Sequence, residues 1–471
     1  MSPKKKSAPA KKPATKKKVA DKKEALSPAV AKQEKKTQKS YQNVRGMKDI
    51  VPSQGGQWLR MFDAARSIAE SYCYGYVETP IVEQAQLFVK SLGRGTDVVE
   101  KEMYVFEDNE GTKIALRPEF TAGIARSYIS HGMLSLPQPV KVWTVGPLFR
   151  HDRPQSGRYR QFHQFNCEVI GERNPVSDAE LISMAYNFLR DLGLQAEIHI
   201  NSIGTFEDRQ NYIVELVGYL RSKRSYLCEN CKKRISKNPL RVLDCKELGC
   251  QEALEDAPQI IEWLSAASKD FFMSVLEYLD ELRIPYVLTP TLVRGLDYYT
   301  DTVFELFVDG GKEQSQSALG GGGRYDGLLE EIGAREATPA SGFAIGLERV
   351  MLALNKKEKE EQEGSDVAGS RHPAGIERQF FFAQLGEQAR RRTLALIESL
   401  RKSGIQLGSS LAKGSLKAQL ELADKMKSTH SIILGQKEVQ DGTVIIRDMD
   451  SGIQEIIDQK KIEHHLRKLM K

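Results

Sequence analysis

Residues 146–168 read Gly146-Pro-Leu-Phe-Arg-His-Asp-Arg-Pro-Gln-Ser-Gly-Arg-Tyr-Arg-Gln-Phe-His-Gln-Phe-Asn-Cys-Glu168, and this segment is the densest polar cluster of the chain. It begins and ends in apolar residues typical of strands, and its middle holds four arginines within eleven positions: Arg150, Arg153, Arg158 and Arg160. Two strands joined by an arginine-rich loop predict a site for an anionic ligand, because guanidinium groups pair with phosphate oxygens in a planar, bidentate way. Tyr159 and Phe162 lie among the arginines and can stack on a base. The alternative interpretation is a solvated hairpin with a charged tip.

The surrounding sequence favours an antiparallel sheet. Short runs of β-forming residues are separated by loops, rather than by helices, at residues 103–106, 113–116, 140–145 and 164–170. A parallel dinucleotide-binding fold would place a helix after each strand. Neither of the two common nucleotide-binding motifs, GxGxxG after a strand or GxxxxGKS/T, is found in the chain. A helix is predicted earlier, at residues 58–72, followed by an extended stretch at 76–81.

Composition divides the rest of the chain into further segments. Residues 205–285 are helical and charged in pattern and look inserted within one domain, because β-rich sequence resumes at Tyr286 and continues at 303–308. The polar run at 356–376 is predicted to be a linker, and the alternation of strand and helix from residue 379 predicts a small α/β domain with a mostly parallel sheet. We therefore expect a first domain at residues 41–355, with an insertion at 205–285, and a second domain at 377–471.

The N-terminal segment is the most basic part of the chain. Residues 1–40 hold 14 lysines against three acidic residues, a balance of +11 in a chain of net charge +6, so the remaining residues balance to −5. With almost no large apolar residues to bury, this tail is predicted to be disordered, either as a solubilising segment or as an arm that raises RNA affinity through phosphate contacts. No apolar stretch approaches the roughly 18 to 20 residues of a membrane-spanning helix, so we expect a soluble, cytoplasmic protein.

Four of the six cysteines fall within the predicted insertion. Cys228-x-x-Cys231 and Cys245-x-x-x-x-Cys250 have nearly the spacing of a zinc site with four thiolate ligands, although the second pair is wider than usual. Four ordinary reduced thiols are the alternative. The sequence leaves both interpretations open, and we assign no metal ligands from it.

Motif 2 of the class II aminoacyl-tRNA synthetases resembles Phe149-Arg-His-Asp152, the basic loop after it and Arg160-Gln-Phe-His-Gln164. Three further segments resemble the histidyl-tRNA synthetase family within that class, the last of them also resembling motif 3: Leu116-Arg-Pro-Glu-Phe-Thr121, Leu292-Val-Arg-Gly-Leu-Asp-Tyr-Tyr299 and Gly342-Phe-Ala-Ile-Gly-Leu-Glu-Arg349. Residues 75–81, with Pro80, resemble motif 1, which implies a homodimer. The resemblance covers residues 43–355 and, less closely, 379–460. It implies an α+β fold, in which an antiparallel-sheet catalytic domain with a helical insertion precedes a C-terminal α/β anticodon-binding domain.

The resemblance implies that histidine and ATP, with Mg²⁺, form histidyl-adenylate and pyrophosphate, and that histidine then passes to the 3′ end of tRNA(His). The implied catalytic residues are Arg150, Arg294 and Arg349. The implied ATP contacts are Arg150, Asp152, Phe162 and Arg349, and Asp152 stands where many members of the family have Glu. The implied histidine contacts are Glu119, Thr121 and Gln164 at the amino group, Glu168 and Tyr299 at the ring, and Arg150, Arg294 and Tyr298. The run Leu319-Gly-Gly-Gly-Gly-Arg-Tyr-Asp326 would form the floor of the substrate pocket.

Two alternatives remain, and the first belongs to another functional class. A non-catalytic regulatory paralogue would bind histidine or a partner enzyme without aminoacylating, and Arg150, Arg294 and Arg349 argue against it. A class II synthetase for another amino acid is the second, and Glu168 with residues 294–299 argues against that.

Overall fold

The computed structural model describes residues 41–93, 95–308, 318–363, 379–412 and 414–470. The predicted disordered tail at residues 1–40 lies outside the described residues, as do residues 364–376 of the predicted linker.

Strands and helices are both abundant in the described residues. The strands are β1 (Gly75–Tyr76), β2 (Val82–Gln84), β3 (Val105–Glu107), β4 (Lys113–Leu116), β5 (Val140–Phe149), β6 (Gln161–Ile170), β7 (Ala196–Ser202), β8 (Tyr286–Leu288), β9 (Thr300–Val308), β10 (Gly320–Arg324), β11 (Ala340–Gly346), β12 (Phe380–Gln384), β13 (Leu407–Ser409), β14 (His430–Leu434), β15 (Thr443–Asp448) and β16 (Gln454–Asp458). The α-helices are α1 (Pro52–Ser71), α2 (Ala85–Leu92), α3 (Thr121–Ser130), α4 (Pro175–Asp191), α5 (Phe206–Ser222), α6 (Glu229–Lys237), α7 (Leu240–Leu243), α8 (Leu248–Leu254), α9 (Ala266–Glu281), α10 (Leu328–Glu331), α11 (Leu347–Glu363), α12 (Glu387–Lys402), α13 (Leu416–Lys425), α14 (Gln436–Asp441) and α15 (Ile462–Leu469). A π-helical turn covers Val98–Glu102. Every helix of the described residues is too short or too polar to cross a membrane.

The main sheet has eight strands in the order β1-β5-β6-β11-β10-β9-β7-β8. The six central strands, β5-β6-β11-β10-β9-β7, are antiparallel to their neighbours. The two edge strands pair in parallel, β1 with β5 and β8 with β7. The predicted antiparallel sheet is therefore confirmed. Strands β5 and β6 pair along their whole length, from Val140 opposite Ile170 to Phe149 opposite Gln161, so the arginine-rich loop connects the two strands of a long hairpin.

The two faces of this sheet have different characters, because successive residues of a strand point to opposite sides. In β6, Phe165 and Cys167 pack in an apolar core with side chains of α1, α4, α9 and α11. The residues between and beside them, Gln164, Asn166 and Glu168, belong to the opposite face. Polar side chains in the middle of a ten-residue strand are costly to bury unless they have partners, so this face is where a binding site is expected.

The predicted insertion is helical from α5 to α9. Leu220, Ile235 and Val242 of α5, α6 and α7 share an apolar core with α2 and α3. Helix α9 differs, because Phe272 and Val275 pack in the core that includes α4 and the main sheet. The insertion thus contributes its last helix to the layer that covers the main sheet.

Helix α11 continues to Glu363 and therefore includes residues 356–363 of the predicted linker. Lys and Glu are good helix formers, and Lys356–Glu360 and Lys357–Glu361 form ion pairs of 3.4 Å and 3.7 Å across one helical turn. The charged run that suggested a linker is at this point a solvated helix.

The C-terminal sheet has five strands in the order β13-β12-β14-β15-β16. Strands β13, β12 and β14 are parallel, as predicted, whereas β15 and β16 are antiparallel, so the sheet is mixed rather than mostly parallel. A parallel crossover needs about a dozen residues. The connection from Leu434 to Thr443 is shorter, with Gly442 in a left-handed conformation at φ 66°, and it returns the chain antiparallel.

Candidate active site

A cleft of about 520 Å³ opens on the polar face of the main sheet. The residues predicted from sequence come from distant segments, and all of them line this cleft: Glu119, Thr121, Arg150, Asp152, Phe162, Gln164, Glu168, Arg294, Tyr298, Tyr299 and Arg349. The structure therefore brings the predicted set together in one place. The role of each residue remains a prediction.

Glu168 is a buried carboxylate in the wall of the cleft, with 1% of its surface exposed. Thr121 Oγ1 donates a hydrogen bond to its Oε1 at 2.7 Å, and the Tyr325 hydroxyl donates to its Oε2 at 2.5 Å. Burial raises the pKa of Glu168 to about 8, although these two hydrogen bonds act in the opposite direction. The arrangement holds a carboxyl group in one orientation and keeps its proton available near neutral pH.

Tyr325 belongs to this site, although it was not among the site residues predicted from the sequence. Burial and the neighbouring Glu168 raise the pKa of its hydroxyl well above the ordinary value, so it remains a hydrogen-bond donor. Its ring lies 5.5 Å from the Tyr298 ring, which in turn lies 4.6 Å from the Tyr299 ring. The glycine-rich segment predicted to form the pocket floor, residues 319–326, contains this tyrosine, which was the available signal.

Gly342 of β11 lies directly opposite Glu168 of β6. A Cβ atom at this position would lie 1.5 Å from Glu168 Oε2, so no other residue fits without displacing the carboxylate. The first glycine of the motif 3 segment thus makes room for a side chain of the motif 2 strand.

The neighbouring end of the cleft contains Glu119, which is also buried. Its carboxylate accepts hydrogen bonds from the backbone amides of Thr121 at 2.6 Å and Ala122 at 2.8 Å, at the start of α3. Burial raises the pKa of Glu119, and these backbone hydrogen bonds oppose the shift. Nearby, the side-chain oxygens of Gln164 and Asn166 are buried and accept no hydrogen bond from any described residue. Unpaired buried acceptors of this kind suit a ligand that brings its own N–H groups.

Arg294 is held by an ion pair between its Nη1 and Glu305 Oε1 of β9. Its guanidinium also lies 5.4 Å from the centre of the Tyr299 ring. Burial is the largest single effect and acts to lower the pKa of Arg294, but the Glu305 carboxylate, Tyr299 and Tyr298 together outweigh it, so the pKa is raised and the arginine stays charged. The backbone of Gly321 passes close by, since a Cβ there would lie 2.9 Å from Arg294 Nη1. Glu305 was missed because it lies in an apolar strand run with no motif around it.

Arg349 and Arg150 lie on another side of the cleft, which also contains Arg158. Arg349 donates hydrogen bonds to the carbonyl oxygens of Gly157, at 3.2 Å, and Ala318, at 2.5 Å. Burial, together with the charges of Arg158 and Arg150, lowers the pKa of Arg349 to about 10. Guanidinium groups that repel one another in a partly dehydrated cleft favour an anion between them.

Phe162 and Asp152 complete this side. The Arg150 guanidinium lies 5.5 Å from the centre of the Phe162 ring, and its Nε donates to the Pro118 carbonyl at 2.9 Å. Asp152 Oδ2 lies 3.5 Å from Arg158 Nη1. An aromatic face beside arginines and a carboxylate provides stacking, phosphate pairing and a hydrogen-bond acceptor together, as a nucleotide requires.

A contact between His163 and Glu348 joins the motif 2 and motif 3 segments. The backbone amide of His163 donates to Glu348 Oε2 at 2.8 Å, and its ring Nδ1 lies 2.9 Å from Glu348 Oε1. Glu348 directly precedes Arg349 at the start of α11, so this contact orients the arginine over the hairpin. Neither residue was among the site residues predicted from the sequence.

An antiparallel sheet that carries these motifs around one cleft is the architecture of a class II aminoacyl-tRNA synthetase. The histidyl-tRNA synthetase family model matches residues 46–350, and an anticodon-binding domain model matches residues 379–469. The chain is 41% identical to a histidine–tRNA ligase of Natranaerobius thermophilus over 429 residues, which covers 90% of this chain and 98% of the relative. It is 43% identical to a histidine–tRNA ligase of Desulforudis audaxviator over 425 residues, with 90% and 98% covered. The solved structure of apo histidyl-tRNA synthetase from S. aureus is 33% identical, with a TM-score of 0.72 over 90% of this chain and 99% of that one. This chain belongs to the histidyl-tRNA synthetase family.

Proposed function

We propose that this protein, a histidine–tRNA ligase, activates histidine with ATP to histidyl-adenylate and pyrophosphate, and then transfers histidine to the 3′ end of tRNA(His). The observation that carries the proposal is the convergence of all the predicted histidine and ATP contacts on one cleft. Within it, buried hydrogen-bonding groups lie next to a cluster of arginines, as the two joined parts of an aminoacyl-adenylate require.

The histidine side would be formed by Glu119, Glu168 and the unpaired oxygens of Gln164 and Asn166. Glu168, held by Thr121 and Tyr325, would accept an N–H of the imidazole ring. Glu119 and Gln164 would bind the charged amino group. A site that leaves buried polar groups unpaired without the correct ligand rejects apolar analogues by roughly 10⁴ to 10⁵, which is enough to choose histidine.

The phosphate side would be formed by Arg150, Arg294 and Arg349. In the first step a carboxylate oxygen of histidine attacks the α-phosphorus of ATP, and the bond to the departing pyrophosphate breaks. Arg150 and Arg294 would hold the oxygens of the reacting phosphate, and Arg349, with Phe162, would enclose the adenine ring. Preorganised charges of this kind stabilise the transition state without having to reorient during the reaction.

The carboxylate set of the cleft fits the use of Mg²⁺ with ATP. Mg²⁺ takes oxygen ligands and is usually bound by one or two carboxylates together with substrate phosphates. Glu305 lines the cleft beside Arg294 and would supply one such oxygen. When bound, Mg²⁺ would neutralise charge on the phosphates.

The tRNA would contact the C-terminal domain, because residues 379–469 match an anticodon-binding domain. A homodimer is supported by the motif 1 segment, whose apolar residues Tyr76 and Ile81 are exposed, as is the adjacent Val82. We propose that the enzyme acts in the cytoplasm as this dimer. Light scattering of the purified chain tests the oligomeric state.

Exchange of labelled pyrophosphate into ATP, measured with each standard amino acid in turn, tests the activity. Histidine alone should support exchange. Exchange with a different amino acid would overturn the proposed specificity, and histidine binding without any exchange would indicate a non-catalytic paralogue.

A further inference from the structure

We propose that Cys228, Cys231, Cys245 and Cys250 bind one structural zinc ion in the helical insertion. The four Sγ atoms all lie within 4.8 Å of one another, and the Cys228 and Cys245 sulfurs are 3.9 Å apart. A tetrahedral zinc ion with Zn–S bonds of about 2.3 Å places its sulfurs about 3.8 Å apart. The four side chains are therefore close to the arrangement that the ion requires.

The sulfurs come from separate elements. Cys228 precedes α6 and Cys231 lies in its first turn, whereas Cys245 follows α7 and Cys250 lies in α8. Four thiols from in and around three helices therefore meet at one point, which is the arrangement that a bound metal ion needs. The two remaining cysteines lie elsewhere, Cys73 being exposed and Cys167 buried in the core of the main sheet.

Backbone groups around the cluster favour negative charge on sulfur. The Cys228 amide donates to Cys250 Sγ at 3.1 Å, and the Cys231 amide donates to Cys228 Sγ at 3.5 Å. Cys250 is buried. Cys228 lies at the N-terminus of α6, a nine-residue helix whose dipole stabilises a thiolate at that end. Lys232, Lys233 and Arg234 follow directly and offset the net negative charge of a four-thiolate zinc site.

Other uses of four cysteines fit less well. A disulfide needs sulfurs about 2.05 Å apart, and all the described cysteines are free. An iron–sulfur cluster would need the four sulfurs further apart, because several irons lie between them. A tetrahedral set of four thiolates of this size fits a single zinc ion, and metal analysis distinguishes zinc from a single iron ion held by the same ligands.

The proposed ion would hold together the segment 228–250, which reaches the active-site cleft. Arg234 and Arg241, which lie between the two cysteine pairs, form ion pairs with Asp97 at 3.4 Å and 3.8 Å, and all three residues line the cleft. Asn238, between α6 and α7, donates a hydrogen bond to Asp297 Oδ1 at 2.9 Å, and Asp297 belongs to the segment that begins at Arg294. Zinc would thus position basic residues at the rim of the cleft. This consequence, unlike the metal site itself, depends on the proposed function.

Metal analysis of the full chain, purified without chelators, tests the site. We expect about one zinc per chain in the wild type and in the control Cys73→Ser, and loss of zinc in the double variant Cys228→Ser with Cys231→Ser. Replacing zinc by Co²⁺ in the reduced wild type should give the visible absorption of a tetrahedral cobalt–thiolate site. This second measurement decides the matter if the double variant does not fold.

Reduced wild-type protein that holds no zinc and gives no cobalt–thiolate absorption would overturn the proposal, as would disulfides among these cysteines found by mass mapping. The effect on the active site has its own readout. Removing zinc should reduce histidine-dependent pyrophosphate exchange, and adding zinc back should restore it. If metal binds but exchange does not change, the metal site stands and only its link to the cleft is refuted.

Discussion

Replacing Glu168 with Gln should weaken histidine binding strongly and leave ATP binding nearly unchanged. The substitution keeps the size of the side chain and one acceptor oxygen, so one of the Thr121 and Tyr325 hydroxyls can still donate to it while the other accepts from the new NH₂ group. The titrations are run above pH 8, where Glu168 is ionised, so the substitution removes the charge that favours an imidazole N–H. A charge-assisted hydrogen bond contributes about 1.5 to 3 kcal/mol, and each 1.4 kcal/mol is tenfold in affinity, so the dissociation constant should rise by about 10- to 100-fold.

Isothermal titration with histidine, and separately with ATP, measures both effects on the same protein. Glu102→Gln is a matched control, because Glu102 is a partly buried carboxylate of the same cleft whose pKa is also raised by burial. It has no hydrogen bond to the Thr121 and Tyr325 pair among the described residues, so its effect on histidine affinity should be much smaller. Unchanged histidine affinity in Glu168→Gln, or an equal loss in both variants, would refute Glu168 as the partner of the ring.

Four further outcomes are expected. Between pH 4.5, the ordinary pKa of a Glu side chain, and about pH 8, the raised pKa of Glu168, the folded state keeps a proton on Glu168 and the unfolded state loses it. The free energy of unfolding should therefore fall by about 1.4 kcal/mol per pH unit as the pH rises across this window. Glu168→Gln lacks this loss, so its melting midpoint should rise relative to wild type as the pH is raised through the window, and parallel pH profiles would contradict the assignment. Arg294→Lys keeps the positive charge but loses the planar guanidinium group that can pair with two oxygens at once. Rapid-quench kinetics should therefore show the adenylation step slowed by about 10² to 10³, with smaller changes in substrate affinity. A defect confined to substrate affinity would exclude a catalytic role for Arg294. Gly342→Ala should lower both the melting midpoint and the histidine affinity, because the new Cβ would collide with Glu168. The control Gly218→Ala, on an open helix surface, should lower neither, and equal melting midpoints for the two variants would contradict the packing argument. Deleting residues 1–40 should weaken RNA binding at low salt and leave histidine-dependent exchange intact, and a large loss of exchange would show that the tail is part of the active enzyme.

Much of this site could be predicted from sequence because its elements are encoded locally. The apolar runs on either side of Arg150 and Arg160 predict a hairpin, since a strand is recognised from its own residues and turns. Family motifs then supplied the site residues, including Glu168 and Arg294, although local pattern alone would have left Arg294 as an ordinary exposed arginine. The same local reasoning failed at residues 356–363, where spaced Lys and Glu pairs stabilise a helix within an apparently linker-like composition.

What required the tertiary structure are the partners of those residues. Tyr325 is 157 positions from the carboxylate it contacts, and Gly342 faces Glu168 only because β6 and β11 pair in one register. Glu305 likewise becomes the partner of Arg294 only once the two side chains meet above the sheet. The convergence of the four cysteine sulfurs on one point also depends on how three short helices pack. Local sterics and the spacing of apolar residues specify whether a segment is a helix or a strand and where it ends. Strand register and packing depend on interactions summed over the whole fold, and they decide which distant side chains meet.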